Sequence, residues 1–84
     1  MTYSVVFNPN SERILNKLPK EDALRIIKKF KQIKVNPFRY LEHFEGNNYF
    51  KLRIGIFRAL IEVDNGKRIL FVRILDKRSR IHKE

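Results

Sequence analysis

Lys51, Arg53 and Arg58 stand inside short runs of apolar, β-forming residues, and Arg78, Arg80 and His82 follow in the basic segment that ends the 84-residue chain. Charge seldom sits within such runs unless it has a partner. A guanidinium meets phosphate through a planar fork of donors, whereas a lysine offers a compact point charge. Gathered in one groove, these groups suit an RNA backbone, and they also suit the extra charge of a pentacoordinate phosphate during phosphodiester cleavage. Attack by a 2′-hydroxyl on its own 3′-phosphate needs neither a metal nor a covalent enzyme intermediate, but it does need proton transfer. His82 is the only residue of the tail with a reference pKa near neutrality, so it is the first candidate acid or base. Lys51, crowded by other cations, is the second. The plainer readings are an exposed terminal histidine and, for Arg53, Arg58 and Arg78, ordinary surface charge paired with Glu62, Asp64 or Asp76.

Composition favours a polyanion partner. Nineteen Lys and Arg against nine Asp and Glu give a formal net charge of +10, with a pI near 10.3. Such a field attracts nucleic acid first, acidic protein second and anionic membrane third. Cysteine is absent, which excludes disulfides, thiolate chemistry and Cys-based zinc sites. The two histidines, His43 and His82, lie far apart, so no metal or other cofactor is expected. A hydrophobic share of 43% is enough for a core. The length suits one domain over residues 1–84. No run has the length of a membrane span and no secretory leader is evident, so the expectation is a cytoplasmic protein without a membrane partner.

The elements that must position these cations follow from periodicity. Tyr3, Val5 and Phe7 alternate in a first strand. Asn8 and Pro9 supply an N-cap and a first helical residue for a short helix carrying Ile14, Leu15 and Leu18, which Pro19 ends. A second helix starts at Lys20, with Ala23, Ile26, Ile27, Phe30 and Ile33 on its apolar face. Lys28, Lys29, Lys31 and Lys34 crowd toward its C-terminal end, where the helix dipole favours cations; that structural reading is preferred here to nucleic-acid contact. Asn36-Pro37 closes it. Residues 38–48 read as a connector in which Leu41 and Phe44 pack on the sheet, His43 is a packing residue and Gly46-Asn47-Asn48 is a turn.

Three strands then follow. Tyr49–Ile54 places Tyr49, Lys51 and Arg53 on one face and Phe50, Leu52 and Ile54 on the other. Gly55 permits a close reversal into Ile56–Asp64, and Asn65-Gly66 predicts a type I′ hairpin turn into Lys67–Leu75. Asp76 to Glu84 reads as a tail. Alternation alone leaves the direction of Arg58 open, because it shares the parity of Ile56 and Leu60. The expected fold class is α+β: strand, helix, helix and a three-stranded antiparallel meander, with both helices on one face of a single sheet.

The opening Thr2-Tyr-Ser-Val-Val-Phe, the Leu18-Pro19-Lys20 break, the block Tyr49-Phe-Lys-Leu-Arg-Ile-Gly-Ile-Phe-Arg and the terminal Lys77-Arg-Ser-Arg-Ile-His-Lys together resemble the RelE/ParE toxin superfamily, and most of all archaeal RelE proteins. The resemblance spans the whole chain. It implies a type II toxin that enters the ribosomal A site, cuts messenger RNA without a metal, and is held inactive by a cognate antitoxin. By motif position it assigns the reaction to Lys51, Arg53, Arg58 and Arg78. Arg80 matches a further tail arginine, and Lys77, Arg73 and Lys83 extend the RNA-binding surface. His82 stands where members usually carry a tyrosine, so it either replaces that residue in proton transfer or marks a poor enzyme. The alternatives are a ParE-type toxin that inhibits DNA gyrase and a catalytically decayed, binding-only relative. The net charge of +10 suggests an antitoxin with an acidic or amphipathic helical segment covering the basic face.

Overall fold

The computed structural model describes residues 2–43 and 49–77. Strand β1 (Ser4–Phe7) leads into helices α1 (Pro9–Lys17) and α2 (Lys20–Ile33), then a single 3-10 turn (Pro37–Arg39) and strands β2 (Glu42–His43), β3 (Tyr49–Ile54), β4 (Phe57–Asp64) and β5 (Ile69–Lys77). The strands form one mixed sheet in the order β1-β5-β4-β3-β2. The meander β3-β4-β5 is antiparallel, as its hairpin-length connections require. The α+β class therefore matches the sequence reading, with two additions. β1 joins the sheet parallel to β5, and the connector contributes the short β2 against β3.

Helix α1 begins where the sequence places its cap, and α2 begins at Lys20 as expected, without a side-chain cap. Asn8 is the N-cap of α1, its Oδ1 accepting from the Ser11 amide at 2.8 Å. Leu18 is the C-cap, immediately before Pro19. Helix α2 buries Ile26, Phe30 and Ile33 completely or nearly so. Ile27, expected on the same face, is 37% exposed at its margin. These side chains meet Leu52 and Ile54 of β3, Phe57, Ala59, Ile61 and Val63 of β4, and Leu70, Val72 and Leu75 of β5 in one buried cluster. Burying a side chain of this kind contributes about 1.5–3 kcal/mol, so the helix-facing side of the sheet supplies most of the driving force.

Of the two hairpins, the Gly55 reversal is as close as expected and the Asn65-Gly66 turn is not. At Gly55 φ is +60°, and the two-residue turn Gly55-Ile56 joins the closing pair Ile54 and Phe57. A positive φ at the first central position alone is the type II′ pattern. The Asn65-Gly66 connection is not the expected type I′ turn. It is a four-residue loop between Asp64 and Ile69, and the left-handed residue is Arg68, with φ of 59°. The Asp64 carboxylate accepts from the Lys67 amide at 3.0 Å, and the Tyr3 hydroxyl donates to Asn65 Oδ1 at 2.7 Å. One local bond and one from the start of the chain thus favour the wider loop over the two-residue one.

Strand β5 also runs two residues further than expected, so Asp76 and Lys77 are strand and not tail. It carries a bulge: Leu60 opposes Ile74 while Ile61 opposes Val72, leaving Arg73 as the extra residue. Asn8 Nδ2 donates to the Arg73 carbonyl at 2.7 Å, satisfying a group that the ladder leaves out.

Candidate nucleic-acid interface

The register resolves the direction of Arg58. Arg53 of β3, Arg58 of β4 and Asp76 of β5 lie abreast. They alternate with Leu52, Phe57, Ala59 and Leu75, all buried beneath the helices, so they belong to the opposite, open face of the sheet. The next row along that face is Lys51, Leu60 and Ile74, and the row beyond it is Tyr49, Glu62 and Phe71. The bulge at Arg73 is what keeps Asp76 in this set. Without the extra residue, alternation from the buried Val72 would turn Ile74 and Asp76 toward the core.

Two of these placements are costly for a sheet that serves only stability. Arg53 and Arg58 are like charges directly opposite each other on neighbouring strands, an arrangement that destabilises antiparallel pairs. Arg58 is also 91% buried, being only 9% exposed. Among the described residues no carboxylate forms an ion pair with it, although Asp76 lies in the same row. A buried cation needs an anionic partner. An anion on this face would relieve both problems at once.

The remaining sequence candidates divide. Arg73 is on the strand but already engaged: its Nη2 lies 2.7 Å from Glu62 Oε1, its Nε donates to the same oxygen at 2.8 Å, and its guanidinium lies 5.0 Å from the Phe71 ring centre. Lys77 opposes Phe57, and with Ile14, Lys17 and Leu18 it lines a cleft under α1. It therefore stands apart from Lys51, Arg53 and Arg58. Arg78, Arg80, His82 and Lys83 lie outside the described residues. His43, expected to pack, sets its ring 4.9 Å from that of Phe50. Phe50 in turn meets Phe38 edge-on at 5.4 Å.

Around the β3–β4 turn from this face is a second cationic surface that strand periodicity did not indicate. Arg25, Lys28, Lys29 and Gln32 of α2 line a cleft of about 290 Å³ together with Arg53, Ile54 and Gly55. The available signal was helical spacing, since residues 25, 28, 29 and 32 fall at i, i+3, i+4 and i+7. Among the described residues no three or more His, Asp or Glu side chains gather as a metal site. No helix among them is long and apolar enough to cross a membrane.

Comparison with known proteins gives the family and the fold. The model for the ParE toxin of type II toxin–antitoxin systems matches residues 5–81. Among solved structures, the fold is similar to that in the RelBE2 toxin–antitoxin complex of Mycobacterium tuberculosis, with a TM-score of 0.81 and 23% identity over 93% of this chain and 100% of that one. It is similar to the archaeal RelE–RelB complex of Pyrococcus horikoshii, with a TM-score of 0.79 and 21% identity over 95% and 99% of the two chains. A free mutant of Escherichia coli RelE gives a TM-score of 0.78 and 20% identity over 98% and 90%. No curated protein sequence matches the chain. The family model covers nearly the whole sequence, and the sheet order with its two helices is that of RelE structures: the chain belongs to the ParE toxin family of type II toxin–antitoxin systems, within the RelE/ParE superfamily.

Proposed function

We propose that this toxin is a metal-independent endoribonuclease that cuts messenger RNA on the ribosome, with residues 1–84 acting as one RelE-like domain. The observation that carries the reading is the row Arg53-Arg58, in which a nearly buried arginine faces a second arginine with Lys51 in the adjoining row. In the proposed reaction a base removes the proton of a 2′-hydroxyl, whose oxygen attacks the adjacent phosphorus. The pentacoordinate phosphate then expels the 5′-oxygen, which takes up a proton, leaving a 2′,3′-cyclic phosphate and a 5′-hydroxyl. Arg58 and Arg78 stabilise the added negative charge. Lys51 and Arg53 hold the RNA and assist proton transfer, and His82 is the proton donor. Arg80 and Lys83 contribute to holding the RNA backbone, while Arg73, paired with Glu62, and Lys77, beside α1, act on it through the positive field alone.

The partner that silences the toxin is an antitoxin. The groove of Val5, Phe7, Ile27 and Phe30, rimmed by Lys31 and Lys34, supports an amphipathic segment that carries acidic residues beside its apolar face. The M. tuberculosis and P. horikoshii structures are themselves toxin–antitoxin complexes.

The test is expression in a translating extract. Cuts should appear within translated messages, and Arg58→Ala should lower their rate roughly 10²–10³-fold, the usual cost of removing one charge-stabilising donor, while circular dichroism reports a folded protein. Equal cutting of naked and translated RNA would sink the ribosome dependence. The ParE family model supports a second reading, inhibition of DNA gyrase by binding. Loss of supercoiling by purified gyrase, with messages left intact, would establish that one instead.

A further inference from the structure

We propose that the cleft between α2 and the β3–β4 turn is a second phosphate-binding site, which engages the RNA backbone beyond the segment held on the open sheet face. The proposal rests on the endoribonuclease reading for the identity of the polyanion. It stands on three features of the cleft. Its polar lining is cationic except for Gln32, with Arg25, Lys28 and Lys29 on one helical face and Arg53 across from them. The Arg25 side chain lies against Gly55: a Cβ there would meet its Nη1 at 3.4 Å and its Cδ at 3.7 Å, ordinary contact distances, so the guanidinium packs on the turn. Lys29 is held 5.0 Å above the Tyr40 ring centre, which fixes one wall.

Helix energetics explain only part of this cluster: Glu21 and Asp22 stand at i−4 and i−3 of Arg25, a favourable spacing, but no carboxylate stands at i±3 or i±4 of Lys28 or Lys29. Like charges at i, i+3 and i, i+4 weaken a helix. The dipole rewards cations only in the last turn, which in α2 holds Lys31, whereas Arg25 sits in the middle of the helix. Among the described residues Arg25, Lys28 and Arg53 form no ion pair with a carboxylate. Arg53 belongs to both surfaces, facing Arg58 on the sheet and lining the cleft. A strand of phosphates held at Arg58 can therefore pass Arg53 and continue to Lys28 without leaving positive charge. An acidic protein segment is the weaker fit, because among the described residues Ile54 is the only apolar side chain lining the cleft, and a protein partner needs apolar anchors.

The experiment measures the salt dependence of binding of a 2′-O-methyl RNA 12-mer, which resists cleavage, to the full chain. Each phosphate contact on a single strand contributes about 0.7 to the slope of log K against log salt. Arg25→Ala/Lys28→Ala should lower that slope by about 1.4 and weaken binding tenfold or more at low salt. Lys17→Ala/Lys20→Ala removes the same net charge away from the cleft and should leave the slope within a few tenths of the parent's. Amide resonances of Gly55 and the side-chain amide of Gln32 should shift during titration of the unsubstituted protein, a reading independent of any variant. Equal slopes for the two double variants, unmoved Gly55 and Gln32 signals, or loss of poly-glutamate binding in place of RNA binding would each overturn the site. Failure of messenger cleavage with the slope difference intact would instead overturn the catalytic reading and leave a backbone-binding cleft.

Discussion

At the scale of single residues, the proposed RNA-binding role of the open-face arginines sets their charge against the stability of the sheet. Arg53 and Arg58 oppose each other across β3 and β4, and such like-charge pairs cost a few tenths of a kcal/mol or more. Arg53 is exposed, so solvent screens much of that cost. Removing its charge should therefore improve the fold while harming function. We expect Arg53→Gln to raise unfolding free energy by about 0.2–0.5 kcal/mol at low ionic strength. The gain should vanish near 1 M salt, where the screening length falls to about 3 Å. The same variant should bind RNA more weakly. Denaturant titrations at two salt concentrations read the first effect, and a stability loss at low salt would mean that Arg53 is held by a favourable contact.

At the scale of elements, the hairpins show which parts of the sequence were legible. The caps of α1, the Pro19 break and the strand face of Lys51 and Arg53 follow from local chemistry, because each depends on residues within one turn or one strand. The direction of Arg58 and the place of Asp76 were not readable. Both depend on cross-strand register, and the bulge at Arg73 is stabilised by Asn8, far away in the chain. Asn8→Ala should therefore remove a helix cap and the bulge bond together, at about 1–3 kcal/mol. It should also lower cleavage more than a cap substitution alone, since the row of Arg58 and Asp76 shifts with the bulge. The turn glycines give a sharper contrast. Asn65-Gly66 carries the sequence signal of the demanding turn, yet of these two turn glycines it is Gly55 that has a positive φ, and in the wider loop the left-handed residue is Arg68. Gly55→Ala should cost about 1–2 kcal/mol through its left-handed backbone, and Gly66→Ala well under 1 kcal/mol. Equal losses in thermal melts would mean that the wider loop is as constrained as the tight one.

At the scale of the whole molecule, a net charge of +10 on 84 residues makes the folded state repel itself, and a polyanion that binds the native state more tightly than the unfolded chain removes that repulsion and stabilises the fold. The two effects separate by salt. Sodium chloride screens the repulsion without occupying a site, so it should raise Tm smoothly by a few degrees. The RNA 12-mer binds through counterion release, so its stabilisation should be largest at low salt and fade as salt rises. At a free concentration near 100 times Kd, linkage gives about 2.7 kcal/mol, and a domain of this size gains about 4–8 °C for each kcal/mol. The expected rise is therefore about 10–20 °C at 50 mM salt, shrinking toward zero by 0.5 M. Arg25→Ala/Lys28→Ala and Arg58→Ala should each remove part of it, because a track with two binding segments loses affinity when either is cut. An RNA-induced rise that persisted unchanged at 0.5 M salt would point to apolar or base-specific contacts in place of the phosphate contacts argued for both surfaces. The absence of any rise at 50 mM would show that the charge serves a partner other than nucleic acid.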